Sequence, residues 1–400
     1  MTHHVVAIGA GYAGLGAAKR TAARLGSADV QVTLVNAVDR FVERVRLHQL
    51  AAGQRLVDLP LADLLAGTGV DLVVARVTGI DPEKRRVRLD AAPHDLAYDT
   101  LVYALGSGSE VDSTPGVREH AFTVADSGSA IRLAARVRAL DPGNQIAVVG
   151  GGLTGIETAA ELAATHPSLP VTLVTRGEVG GWLSTHARRH LRAAFSRLGI
   201  EVQQDARVLE VTEAGLLLDG AGGDRELGAD AVVWTAGFRV PDLARDAGLA
   251  VDGCGRMEVD RLLRSVSHPD IYGIGDSAAA WTAGGESRMS CQTGLPMGLH
   301  AADAISALLT GQEPKPRRIR YVWQNISLGR HDGVTQFTRA DDSAIDRAVL
   351  TGRRSAKFKE VVTRGTVFMM RHPGPWWPVR HRPLRHDEDA LRGNVSDHLV

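Results

Sequence analysis

The chain has 400 residues, and its 46 Lys or Arg balance 46 Asp or Glu at 44% hydrophobic and 23% charged composition. That length predicts two or three domains with ample core, while the neutral balance argues against nucleic acid as a partner. No apolar run is long enough to span a bilayer, and two cysteines, Cys254 and Cys291, argue against a disulfide framework and fit a reducing cytoplasm, the expected location.

The first element is "VVAIGAGYAGLGAAKR", residues 5–20: an apolar β-rich run, then G-x-G-x-x-G, then alanines at helical spacing. A core strand begun by Val5 leaves no room for a secretory signal. The strand, turn and helix order is that of a dinucleotide site. Gly9 makes the tight turn, Gly11 admits a pyrophosphate to the backbone, and Gly14 lets helix pack on strand. "VQVTLVN" (30–36) reads as the next strand, ending at Asn36, and residues 71–90 read as a strand with a hairpin. "YDTLVYALGS" (98–107) is a strand running into Gly106, and the Ser, Asp, Pro and Gly cluster at 110–116 marks a seam.

The plan then repeats. "IAVVGGGLTGIETAAELA" (146–163) carries Gly150, Gly152 and Gly155, 141 positions after the first motif counting from Gly9 to Gly150. "VTLVT" follows as a strand ending at Thr175, next to Arg176, and "ADAVVWTAGF" (229–238) closes the unit with Gly237. One such motif is weak evidence; two in register predict two nucleotides with electrons passing between them. The fold expected is α/β, two nested Rossmann-like units plus a C-terminal domain. The boundaries are 1–112 and 240–312 for the first unit, 113–239 for the second, and 313–400 for the C-terminal piece. "HPDIYGIGDSAAA" (268–280) is a strand ending in Gly275 and Asp276, which puts a carboxylate at a strand C-terminus; the alternative is a turn aspartate capping the next helix.

The order G-x-G-x-x-G, Ala-Leu-Gly-Ser, G-G-G-x-x-G-x-E, Thr-Ala-Gly-Phe and Ile-Tyr-Gly-Ile-Gly-Asp resembles the flavoprotein superfamily with two dinucleotide-binding domains. Within it, "RFVERVRLHQLAAG" (40–53) and "ISLGRHDGVTQ" (326–336) are similar to type II NADH dehydrogenases and apoptosis-inducing-factor-like NAD(P)H:quinone oxidoreductases. The resemblance implies an enzyme in which FAD takes a hydride from NAD(P)H and passes two electrons to a quinone, with no metal. It implies that Gly9, Gly11 and Gly14 cradle the FAD pyrophosphate and Asp276 holds the ribityl chain. Arg46 and His48 then lie in a loop over the flavin, and Gly150, Gly152 and Gly155 hold the NAD(P)H pyrophosphate. Glu157 takes the place of a carboxylate near nicotinamide and flavin, or else is an acid placed for the helix dipole. Gln292, in "SCQTGLPMG", falls beside the quinone headgroup, although its neighbours here are Cys291 and Gly294 rather than alanines.

Thr175 and Arg176 stand where NAD enzymes carry an acid for the adenosine 2′-hydroxyl, so NADPH is the expected donor, with NADH possible and Arg176 a solvated loop charge in the alternative. Asn36 replaces the acid at the FAD site, where its amide oxygen can accept from a ribose hydroxyl. Pro296 suits a first helical position with Thr293 or Gly294 as the cap, aiming a helix N-terminus at the flavin. Disulfide or sulfide chemistry lacks the close cysteine pair it needs. A soluble reductase of a small specialised metabolite and an NAD(P)H-responsive binding protein are the other classes left open.

Beyond Pro314 the chain becomes basic, with sixteen Lys or Arg against five Asp or Glu between Lys315 and Arg385. Phe358, Val361, Val362 and Phe368 fall near one helical face, ringed by Lys357, Lys359, Arg364 and Arg371 and followed by Trp376 and Trp377. This segment either lies peripherally on an anionic membrane, on its inner face, or covers the acceptor pocket or a homodimer interface.

Overall fold

The computed structural model describes residues 2–26, 29–219, 223–372, 374 and 384. Two five-stranded parallel sheets organise the chain. In the first, the strands lie in the order Ile271–Gly273, Thr100–Tyr103, His3–Ile8, Val30–Asn36 and Val70–Val74. In the second the order is Ile200–Gln203, Val171–Val174, Ile146–Val149, Ala231–Trp234 and Ala121–Thr123. Val5 to Ile8 and Ile146 to Val149 are buried throughout, as central parallel strands covered on both faces must be.

The second sheet shows how alternation builds its two cores. Ile146, Val148, Leu173 and Val233 face the helices, whereas Ala147, Val149, Val174 and Val232 pack on the three-stranded sheet of Arg207–Thr212, Gly215–Asp219 and Arg225–Gly228. The chain leaves the first sheet after Tyr103, builds the second, and returns at Ile271. Its two crossings pair with each other: Gly108–Ser109 runs antiparallel to Phe238–Arg239. The nested α/β architecture expected from the duplicated motif is therefore the one observed.

Each glycine motif opens a helix, Tyr12–Leu25 in the first unit and Leu153–Thr165 in the second. The first packs closely on the helix Cys291–Leu309, where a Cβ on Gly298 would lie 2.2 Å from the Ala13 carbonyl oxygen and one on Gly16 would lie 2.8 Å from Leu295 Cδ1. Ion pairs from Arg20 and Arg24 to Asp303, at 2.7 and 2.5 Å, fix the same crossing. A separate three-stranded sheet of Trp323–Ser327, Gly333–Thr338 and Ala344–Thr351 leads into the helix Gly352–Arg371, which runs through Gly365 without a break. Phe358 on this helix meets Trp323 edge-on at 5.4 Å. Buried Lys19 secures the far end by donating to the Arg371 and Leu64 carbonyls at 2.8 and 2.6 Å.

Candidate functional site

A cavity of about 490 Å³ joins the two dinucleotide units. Its wall includes Gly11 and Ala13 from the first motif, Leu153, Thr154 and Glu157 from the second helix, and Gly106, Gly237, Gly275 and Asp276 from the strand ends. The helix N-terminus at Cys291 and Gln292 closes one side, and Lys359, Val362, Thr363 and Thr366 of the C-terminal helix close another. Parallel sheets direct their strand C-termini to a common edge, which is why residues so distant in sequence meet here.

The glycines divide by position. A Cβ on Gly9 would sit 2.3 Å from the Ala104 carbonyl oxygen, and one on Gly14 would sit 1.9 Å from the Gly9 oxygen. Gly150 and Gly155 are blocked likewise, at 2.5 Å from Thr235 Oγ1 and 1.8 Å from the Gly150 oxygen. The middle glycines, Gly11 and Gly152, have nothing within 4 Å of that point. Each also caps its helix with no side-chain hydrogen bond, leaving first-turn N–H groups directed at open space. Both cradles therefore fit a dinucleotide pyrophosphate.

Asn36 braces the first cradle: its Oδ1 accepts from the Ala10 N–H at 2.9 Å and its Nδ2 donates to the Val38 carbonyl at 2.8 Å. Asp276 accepts from Ser107 Oγ at 2.7 Å and lies 3.8 Å from Arg44 Nη1. Arg44, not Arg46, lines the cavity. Arg46 turns away, to Glu360 at 2.9 Å and Glu43 at 3.2 Å, because the short helix Arg44–Arg46 puts residues two apart on different faces. Thr175 follows its strand and would meet a Cβ on Gly151 at 2.4 Å. Arg176 is exposed and, among the described residues, has no ion-pair partner, whereas Glu178 is taken by Arg188 at 2.9 Å and Arg192 at 2.6 Å.

Where the two units meet, Glu157 Oε1 accepts from the Ser327 N–H at 2.8 Å and from Lys359 Nζ, and His48 Nδ1 stands 3.8 Å from Oε2. Burial opposes ionisation of Glu157, but the Lys359 ammonium and the Ser327 N–H outweigh it and hold the carboxyl below the usual range. Burial pushes His48 down to about 4, helped by Lys359 and Arg46 and opposed by Glu157. His48 is thus a neutral imidazole. Its Nε2 is buried without a hydrogen-bond partner, as are Gln292 Nε2 and Asn325 Oδ1, and all three residues line the cavity. Sequence reading missed Lys359 as a partner of Glu157.

The helix aimed at the cavity starts earlier than expected. It runs Cys291–Leu309 with Ser290 as its cap, so Pro296 is interior rather than the first residue. Having no N–H, Pro296 cannot donate to the Gln292 carbonyl one turn back. Cys291 lines the cavity and is exposed to it, and the protein around it raises its thiol to about 11; Cys254, also exposed, lies elsewhere, and both are free thiols. On the C-terminal helix Val362 lines the cavity while Val361 and Phe368 are exposed. Trp376 and Trp377 lie outside the described residues. Among the described residues no helix is long and apolar enough to cross a membrane, and no metal-binding cluster occurs.

Residues 3–303 match the model of the pyridine nucleotide-disulphide oxidoreductase family. A NADH dehydrogenase-like protein of Mycobacterium tuberculosis is 36% identical over 357 residues, 82% of this chain and 86% of its own. A type II NADH:quinone oxidoreductase of Staphylococcus epidermidis is 29% identical over 396 residues, 92% of this chain and 95% of its own. Among solved structures, NDH2 of Plasmodium falciparum in complex with NADH superposes with a TM-score of 0.78 at 16% identity, over 96% of this chain and 99% of that one.

Proposed function

The chain belongs to the pyridine nucleotide-disulphide oxidoreductase family, and from that premise we propose that it is an FAD-dependent NAD(P)H:quinone oxidoreductase. One observation carries the reading: a single cavity receives the uncapped N-termini of both glycine-motif helices and the buried Glu157–Lys359 pair. Bound FAD supplies the two-electron chemistry, taking a hydride from the nicotinamide and giving two electrons to the acceptor.

The protein's part is to bind, orient and exclude water. Gly9, Gly11 and Gly14 hold the FAD pyrophosphate, and Asp276, oriented by Ser107, accepts from the ribityl hydroxyls. Gly150, Gly152 and Gly155 hold the pyrophosphate of NAD(P)H. The Ser290-capped helix directs its positive end at the cavity. Gln292 Nε2 is free to donate to an acceptor oxygen, and Lys359 stands ready to give it a proton. Glu157 holds Lys359 in place. The absence of a second thiol beside Cys291 supports a diffusible acceptor over a dithiol relay.

Unpartnered Arg176, together with a Glu178 already paired with two arginines, supports NADPH over NADH, since Arg176 is available to a 2′-phosphate. The exposed Val361 and Phe368 with Arg364 support peripheral contact with an anionic membrane, from which a quinone is drawn past the inner face of the same helix. Purified protein should be yellow, release FAD on heating, and oxidise NADPH with water-soluble quinones. Release of FMN, or turnover with disulfides and not quinones, overturns the assignment.

A further inference from the structure

We propose that Glu161 and a second cavity behind it form the route by which solvent protons reach the acceptor site. The inference rests on the quinone-reductase reading above. That reaction, NAD(P)H + quinone + H⁺ giving NAD(P)⁺ + quinol, takes one hydride from the nicotinamide and one proton from water. The acceptor side is roofed by the C-terminal helix, so the proton needs a path.

Glu161 lies one turn beyond Glu157 on the helix Leu153–Thr165, and positions four apart share a face about 5–6 Å from each other. Glu157 lines the main cavity, and Glu161 lines a separate cavity of about 720 Å³ whose exposed rim carries Arg330, His331 and Arg353. Glu161 is itself only 1% exposed. It accepts from Gln54 Nε2, and Gln54 Oε1 accepts in turn from Arg330 Nη1 at 2.7 Å, so two hydrogen bonds position the buried carboxyl at the wall of the second cavity, where water reaches it.

A carboxyl so placed is costly, and an apolar side chain would serve packing better. The groups facing it are Glu157 on its own helix, Lys359 on the C-terminal helix, Arg330 on the loop after Trp323–Ser327, and Gln54; His190 and Arg197 across the cavity are bound to Asp332. Burial pushes the Glu161 carboxyl up, against the opposing pull of Gln54 and Lys359, while that of Glu157 is held down. Glu161 therefore holds its proton to a higher pH than Glu157 does. In the cycle Glu161 passes a proton to the Glu157–Lys359 pair, which replaces the one Lys359 gives to the acceptor oxygen. Glu161 is then reprotonated by water in the second cavity and ends unchanged.

The test uses the holoenzyme in anaerobic single turnovers, with Glu161→Gln and Glu161→Asp. Glu161→Gln should slow reoxidation by a water-soluble quinone about tenfold or more and flatten its pH profile, leave flavin reduction by NAD(P)H within about twofold, and be partly rescued by Glu161→Asp. Infrared difference spectra followed against pH should show a carboxyl band in the native protein that loses its proton at higher pH than an ordinary glutamate and that Glu161→Gln removes. Unchanged reoxidation and pH profile in Glu161→Gln overturn the proposal, as does the absence of that band. Should Glu161→Gln fail to fold, Gln54→Met tests the same route: slowed reoxidation with intact reduction supports it, and an unchanged rate overturns it. If the native enzyme is not reoxidised by any quinone, the functional reading falls instead, and the infrared band still reports on Glu161.

Discussion

Replacing Lys359 by methionine isolates what keeps Glu157 ionised. The two side chains are 16% and 12% exposed, so water replaces little of the lost bond. Removing one partner of a buried pair costs about 3–5 kcal/mol, and because a carboxyl can escape part of that by taking up a proton, about 2–4 kcal/mol is expected at neutral pH. The Ser327 N–H at 2.8 Å remains, but His48, with its pKa near 4, brings no charge. In the native protein the folded carboxyl lies below the ordinary glutamate value of about 4.3, so its stabilisation is present above that pH and is lost as pH falls through the folded value. In Lys359→Met burial dominates and the order reverses. The penalty is then full above the raised folded value and disappears below the unfolded one. Urea midpoints of native and variant protein should differ widely near pH 8 and converge as pH approaches about 4. Adding Glu157→Gln to Lys359→Met should recover most of the loss. A difference of equal size at both pH values, or a double variant no more stable than the single one, would refute the reasoning.

Gly11→Val should abolish flavin retention while leaving the unfolding temperature of the apoprotein nearly unchanged, because a Cβ there meets no protein atom; Gly14→Ala, at 1.9 Å from a carbonyl oxygen, should destabilise the apoprotein itself. Arg176→Glu should shift the NADPH-to-NADH ratio of kcat/KM toward NADH by about 1–3 kcal/mol, and an unchanged ratio would make Arg176 a bystander. Gln292→Ala should slow quinone-dependent reoxidation with flavin reduction nearly intact in stopped-flow traces; equal loss in both would point to a disturbed flavin site. The His48 ring resonances should show no titration between about pH 5.5 and 8, and its contribution to stability should fall as pH drops below about 6.5, since the unfolded state then binds the proton that the folded state refuses.

The parts of this site that were legible in the sequence are those fixed by local backbone chemistry. The glycine turns and the apolar strands each carry their constraint within a few residues, so their places in the fold could be read directly, whereas Asp276 falls in the one-turn helix Gly275–Ser277 just past a strand that stops at Gly273. Lys359 could not be, since 202 residues separate it from Glu157 and nothing in a basic segment marks one lysine as paired. Arg44 and Arg46 differ only in which face of a one-turn helix they occupy. Pro296 misled because proline favours a first helical position. Ser290, six residues before that expected start, stands at the cap instead, and Gln292, whose carbonyl loses its helical donor to the interior proline, lines the cavity.

Anaerobic double mixing, first with NAD(P)H and then with a water-soluble quinone, tests most directly whether one cavity serves both half-reactions. The account predicts that flavin absorbance is lost in the first step, returns in the second, and that the two rates together reproduce steady-state turnover. Flavin that NAD(P)H reduces but no quinone reoxidises, with disulfide acceptors restoring its absorbance instead, would contradict it.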